Sequence, residues 1–402
     1  MEKDFCGEDS MNILITVHSY WPHKDGVQYV TQYLAEGLAD RGHDVVVITS
    51  VKNKEEVGEE IRNKVKIIRV FLTARYSVLY KGKTDYLNII DCYLEKADVL
   101  INCCAQSPIN NLLLGKLKTI SCKKVLYLHG IHRFNYQNNG SNDLHYYIKH
   151  SLLNARWFLF YLLHRTAFCN YDLMVDIYEG SDAFSFFDKL GIKTNRTIIN
   201  NAVEDFSRVE DKQIVSIPNK YFLCVANFVE HKNQKFLIEA FEKVKNKQGF
   251  KLVLIGGSSD YSKKLLGCVH AMGLDEDIII LEDLDRETTA TYIKHCYCAV
   301  MSSHFEVYPI FLCEALSCGH PFISTNVGYV NSIPGGIVVD TIDDFSNQIQ
   351  FAIDNPDYIT SLGCKGLDYA NKNFDQQTKV IELEKAINDL PINVNNGVGH
   401  NA

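Results

Sequence analysis

The feature that most constrains this chain is an alternation, sustained from Asn12 to Thr325, of short apolar runs with stretches of helical periodicity. Asn12–Val17 reads as a buried strand. Val27–Arg41 reads as a helix with Val27, Val30, Leu34 and Leu38 on one face, closed by Gly42, and Asp44–Thr49 returns as a strand. The pattern continues through strands near Lys66–Phe71, Asp98–Asn102, Lys123–Leu128, Asp172–Val175 and Thr197–Ile199, with helical segments between most of them. Strands separated by helices cannot pair as hairpins, so they predict a parallel sheet covered on both faces. Ala202–Lys220 is polar, carries Pro218 and reads as a linker. A second series then opens with a strand at Tyr221–Ala226. Its helices are expected near Gln234–Lys247, Tyr261–Met272, Arg286–Cys296 and Pro309–Cys318, and its strands near Lys251–Ile255, Ile278–Leu281, Ala299–Ser302 and Pro321–Thr325. Helices near Phe345–Asp354, Pro356–Asn371 and Gln376–Asn388 follow. The tail from Pro391, rich in Asn and Gly, is expected to fray. The fold class is therefore α/β, with two doubly wound domains, 1–205 and 206–402, the helix at 376–388 either closing the second or packing back on the first.

Composition removes several function classes. A formal net charge of −8 over 402 residues argues against a nucleic-acid binder that relies on a broad basic surface. The 13 cysteines are scattered, many lie in apolar runs, and none forms Cys-x-x-Cys, which points to reduced thiols in a cytoplasmic protein and away from a metal site. Met1–Ser10 is polar and acidic, unlike a secretory leader, and no apolar run approaches the roughly 18–20 residues that cross a bilayer. The first strand-to-helix turn, His18 to Gly26, lacks both Gly-x-Gly-x-x-Gly and the P-loop lysine, so a nicotinamide dehydrogenase or P-loop enzyme is not expected.

The stretch richest in chemistry is Ala299–Gly319, read as strand, loop and helix. Pro309 suits the first helical position, and Gly319 with Pro321 suits the stop. The helix is apolar on nearly every side, and Glu314 is its only charge. A lone carboxylate on a buried helix requires a hydrogen-bonding partner, either another side chain or the hydroxyls of a ligand. The helix start, with free N–H groups and the positive dipole end, is an anion site beside Glu306.

Glu306, seven residues, Glu314, then Ala-Leu-Ser-Cys-Gly-His-Pro, resembles the signature of the retaining glycosyltransferases of family 4, which have the two-domain GT-B fold. The resemblance covers most of both domains. It implies two Rossmann-like domains facing across a cleft, a nucleotide-sugar donor and no metal or other cofactor. It places Glu306 beside the transferred sugar, Glu314 on the ribose, and the amides of Ile310 and Phe311 on the diphosphate. The segment Tyr20–His43 resembles the family's first loop and helix. Gly26 would then let phosphate approach the backbone, while Tyr20 and Gln28 would face the acceptor. His129, after the strand ending at Leu128, resembles the histidine at the sugar; read without the resemblance, a loop cap is the favoured account. Asn200–Glu204 resembles the family's close of the first domain. Val225–Phe241 resembles the segment that supplies cationic phosphate ligands, with Lys232 as the clearest of them. Asn227 stands where an arginine is usual, Asp25 where glycine is common and Ser332 where a further glutamate is common.

The expected function is a retaining glycosyl transfer from a UDP- or GDP-sugar to an acceptor hydroxyl, in polysaccharide, lipopolysaccharide or other glycoconjugate assembly. Catalytic roles fall to His129 and Glu306, donor binding to Gly26, Asn227, Lys232, Ile310, Phe311 and Glu314, and acceptor binding to Tyr20 and Gln28. Two alternatives stay open: an epimerase or hydrolase acting on sugar nucleotides, and a degenerate member that binds a glycan or protein. Tyr146–Phe168, aromatic and basic, reads either as a core helix with basic caps or as an interfacial helix at the inner face of the cytoplasmic membrane, with a lipid-linked saccharide as acceptor.

Overall fold

The computed structural model describes residues 10–23, 25–75, 79–132, 134, 144–206, 209–212 and 220–391, with the side chains of 144–146 excepted. The acidic segment 1–9, Pro218 of the expected linker and the tail beyond Pro391 lie outside the described residues. The chain divides into two compact units: Asn201–Asp375, and the remainder on either side of it.

The strands of the first unit are β1 (Asn12–Val17), β2 (Asp44–Val51), β3 (Gly58–Arg62), β4 (Val65–Phe71), β5 (Thr73–Arg75), β6 (Leu79–Lys81), β7 (Val99–Cys103), β8 (Lys123–Tyr127), β9 (Leu173–Asp176) and β10 (Asn195–Ile198). Its helices before the second unit are α1 (Gly26–Asp40), α2 (Lys83–Leu94), α3 (Pro108–Asn111), α4 (Leu144–Phe168) and α5 (Asp182–Lys189). Eight strands form one sheet in the order β10-β9-β8-β7-β1-β2-β4-β3, while β5 and β6 form a separate hairpin. All pairs in the large sheet are parallel except β3 with β4. Sequence periodicity gave no sign of β3, because Gly-Glu-Glu-Ile-Arg is polar and largely exposed. A two-residue turn at Asn63 and Lys64, both at positive φ (47° and 64°), folds it onto β4.

Beneath the ends of β1 and β7 lies a chain of buried polar groups. Asn102 donates to Thr16 at 2.5 Å, Thr16 to Asn110 at 2.6 Å, and Tyr171 to Asn102 at 2.8 Å. Each group is satisfied, so the network fixes these strands without leaving an unpaired buried dipole.

The second unit contains β11 (Tyr221–Val225), α6 (Gln234–Glu242), β12 (Lys251–Gly256), α7 (Asp260–Met272), β13 (Ile278–Glu282), α8 (Arg286–His295), β14 (Cys298–Met301), α9 (Ile310–Ser317), β15 (Phe322–Ser324), β16 (Gly336–Val338), α10 (Ile342–Asp354) and α11 (Pro356–Asn373). Its six strands are parallel, in the order β13-β12-β11-β14-β15-β16. Three expectations need correction. The helix expected to reach Lys247 ends at Glu242. Pro309 is not the first residue of its helix but the extended residue before it, with ψ of 101°, so α9 begins at Ile310. The start of the expected linker is not free chain: Ala202, Val203 and Phe206 are buried, and Val203 N–H donates to the Phe374 carbonyl.

The last helix, α12 (Gln376–Asn388), belongs to the first unit and packs on α1. Gly37 makes the close approach possible, because a Cβ there would lie 2.5 Å from Val380 Cγ2. Buried Glu384 accepts from Arg41 Nε at 2.5 Å and meets His43 Nε2 at 2.8 Å, while Nδ1 of His43 accepts the Met11 N–H. His43 is thereby fixed as the tautomer with its proton on Nε2. Replacing Glu384→Ala strands His43 and Arg41 at once and is expected to lower stability by about 3 kcal/mol. Urea denaturation checks this; Glu384→Gln, which keeps an acceptor for His43, should lose less.

Candidate active site

In each sheet the winding reverses beside one central strand: β11 against β14 in the second unit, and β1 against β7 in the first. Loops leave such a point in opposite directions, opening a crevice at the carboxyl ends of the strands.

In the second unit the loops after β11 and β14 are stapled together across that crevice. Ser302 donates to the Asn233 carbonyl at 2.8 Å, and His304 N–H donates to the His231 carbonyl at 2.8 Å. Asn233 takes the left-handed conformation, φ 52°, which turns the chain from the Glu230–Lys232 turn into α6. Lys232 is thereby aimed at Glu306, with Nζ 2.5 Å from Oε1. The same oxygen accepts from Ser303 Oγ at 2.8 Å. The backbone of Glu306 and Val307 is seated on Gly328, φ 55°, where a Cβ would come within 2.6 Å of both carbonyl oxygens. Three residues further on, α9 begins, and the amides of Ile310 and Phe311 in its first turn have no carbonyl four residues back to bond within the helix.

Glu314, 2% exposed, has a protein partner. Arg286 Nη2 lies 2.5 Å from its Oε1. The guanidinium also sits over the Phe206 ring at 4.6 Å, and its Nε is 3.8 Å from Glu204. Burial raises the pKa of Glu314, Arg286 opposes that rise, and Glu204 adds to it. Arg286 escaped sequence reasoning because it is the first residue of α8, with nothing in its spacing to tie it to Glu314. Ser303 was legible only as a hydroxyl three residues before a carboxylate. Asn227 is exposed, and its carbonyl accepts from Gln234 and from the Val229 N–H. Ser332 is exposed in a short turn after Tyr329.

In the first unit, the turn after β1 brings Asp25 onto the start of α1, where its Oδ1 accepts the Gln28 N–H at 2.8 Å. Asp25 is thus the helix cap, and its charge also acts on His18 and His129. Gly26 opens α1, and a Cβ there would meet nothing within 4 Å, so its backbone faces open space. Gln28 is buried with its amide donating to Gln32 at 2.6 Å. Tyr20 is buried, and its hydroxyl has no partner among the described residues. His129 stacks on Tyr127 with ring centroids 5.2 Å apart, and its Nε2 is shielded and likewise unpartnered among the described residues. Burial lowers its pKa to about 4, with Asp25 opposing. The ring is therefore neutral at pH 7 and offers a hydrogen bond, not a charge.

The fold matches that of known proteins. The structure resembles sucrose-phosphate synthase of Thermosynechococcus elongatus, with a TM-score of 0.72 and 15% identity over 94% of this chain and 99% of that one. It also resembles an Anabaena protein solved in complex with UDP and glucose, with a TM-score of 0.71 and 14% identity over 94% and 100%. The fold is that of the GT-B glycosyltransferases, with two Rossmann-like domains. Residues 24–175 match the family model described as Glycosyltransferase Family 4, and residues 207–363 match Glycosyl transferases group 1. The chain belongs to this glycosyltransferase family. An uncharacterized glycosyltransferase of Methanocaldococcus jannaschii is 30% identical over 105 residues, which span 26% of this chain and 25% of that relative.

The state of His129 can be read directly. Its imidazole resonances should stay those of a neutral ring from pH 8 to 6 and shift only as pH approaches about 4. An NMR titration showing a midpoint near 6.5 would mean that the ring is solvated.

Proposed function

We propose that the protein is a retaining glycosyltransferase that moves a sugar from a UDP- or GDP-sugar to an acceptor hydroxyl in glycoconjugate assembly. The observation that carries this reading is the juxtaposition of Lys232, Glu306 and the open first turn of α9 beside one crevice. A nucleoside diphosphate leaves as negative charge builds on it. Lys232 and the amides of Ile310 and Phe311 are fixed donors for that charge, so they supply the stabilisation for which other transferases recruit a metal. Gly26 lets phosphate approach the start of α1. Glu314, with one oxygen held by Arg286, offers its other oxygen to the ribose hydroxyls. Glu306 and neutral His129 position the sugar and stabilise its oxocarbenium-like state, and attack comes from the leaving-group face, as the family resemblance implies. Tyr20 and Gln28 face the acceptor, a saccharide or lipid-linked saccharide at the cytoplasmic face of a membrane.

Calorimetric titration with UDP, GDP and ADP tests the donor site. One nucleotide should bind, and both Lys232→Ala and Glu314→Ala should weaken it; failure of all three to bind would overturn the reading. In turnover, Lys232→Ala should cost about 3–4 kcal/mol of barrier. Activity should survive a chelator, and the product's anomeric coupling should match that of the donor; inversion would sink the mechanism. Arg286→Gln removes the charge that holds the Glu314 pKa down, so that pKa rises further. Nucleotide affinity should then fall as pH is lowered from 8 to 6, more steeply than in the wild type.

A further inference from the structure

Helix α4 is apolar on two sides. Tyr161 and Phe168 are buried in the core of the first unit. On the other side Ile148, Leu152, Phe158, Leu159, Leu162 and Leu163 are exposed, Leu152 at 67% and Leu163 at 74%. Ile148, Leu152, Leu159 and Leu163 are spaced by four, seven and four, which places them in one line along the helix. Single exposed leucines need no explanation, whereas a continuous line of them marks an interaction surface. The helix's 25 residues include no Asp or Glu, and Lys149, Arg156 and Arg165 flank the line. On a chain with formal net charge −8, this face is apolar and locally cationic.

We propose that the outer face of α4 docks on an anionic lipid surface, with the leucine line entering the acyl boundary and the flanking cations meeting the headgroups. A second copy of the chain fits less well, because a two-fold contact along this line would set the cations of one helix against those of the other, with no Asp or Glu on either to offset them. Among the described residues no helix is long and apolar enough to cross a membrane, so α4 lies on the surface. Its placement also links it to His129. Asn154 on α4 meets His132 Nε2 at 2.7 Å and donates to the Phe134 carbonyl at 3.0 Å, so α4 is tied to the chain leaving His129. Docking would thus bring the first unit's crevice to a lipid-borne acceptor; only this consequence rests on the transferase reading, and the docking itself does not.

The test is sedimentation of the full chain with vesicles of phosphatidylcholine alone and of phosphatidylcholine mixed with phosphatidylglycerol. Binding is expected only to the anionic vesicles and should weaken with salt. Leu152→Gln with Leu163→Gln should lower the partition tenfold or more. Lys149→Gln and Arg165→Gln should lower it about fivefold each. All four positions are exposed, so melting temperature and nucleotide affinity should be unchanged. Equal binding to neutral vesicles, no binding to either, or a dimer dissolved by the leucine changes would each overturn the proposal. Nucleotide binding that persists without vesicle binding would sink the docking alone; the reverse would sink the transferase reading alone.

Discussion

A parallel sheet whose winding reverses beside one strand cannot close its loops over that point, and both units place their reactive groups there. What the sequence must then supply is rigidity around the gap. In the second unit Ser302, His304 and Gly328 tie three loops together, so Lys232 and Glu306 are held by backbone contacts as well as by each other. In the first, the buried network of Thr16, Asn102, Asn110 and Tyr171 fixes the strands below the crevice, while Nε2 of His129 stands above it without a partner among the described residues. A fully bonded layer beneath an unsatisfied one separates what holds the fold from what is left to meet a ligand.

The two glutamates of the second unit are both neutralised, but differently. Glu306 is 14% exposed and its lysine 21%, so that pair is bordered by solvent. The Glu314 side chain is 3% exposed and relies on a guanidinium that is itself 39% exposed. A buried carboxylate without its cation would protonate or destabilise the helix around it. Arg286 therefore supplies what hydroxyl groups alone cannot, since hydroxyls bond a carboxylate without cancelling its charge. On the proposed reading the nucleotide adds to this pair, whereas at Lys232 the diphosphate shares a cation already held by Glu306.

Much of this was legible before the structure. Parallel strands flanked by helices announce themselves through apolar runs, and all the expected strands occur within a few residues of their places. The pairing Glu306-x7-Glu314 drew attention to α9 because a charge inside an apolar helix is rare enough to demand a partner, and Arg286 is that partner. What stayed hidden depends on contacts distant in sequence or on weak local signals. β3 is polar, and its turn uses Asn-Lys where glycine would have been the signal. Asp25, read as a charge intruding near phosphate, also serves as the cap of α1. Arg286 reaches Glu314 across 28 positions.

Helix α4 marks the limit of periodicity as a guide. An apolar stripe facing the core yields a clear helical period, but apolar residues on the opposite side cancel it, and the sequence then supports a buried helix and an interfacial one equally. Burial separates the two by residue. Tyr161 and Phe168 belong to the core, and Leu152 and Leu163 do not. The absence of acidic residues then matters more than the hydrophobicity. A surface helix meeting only water gains from mixed charge, and an interface between copies gains from complementary charge. A helix carrying leucines outward with cations alone beside them is matched to a surface that is apolar below and negative above, which is the layering of an anionic bilayer leaflet.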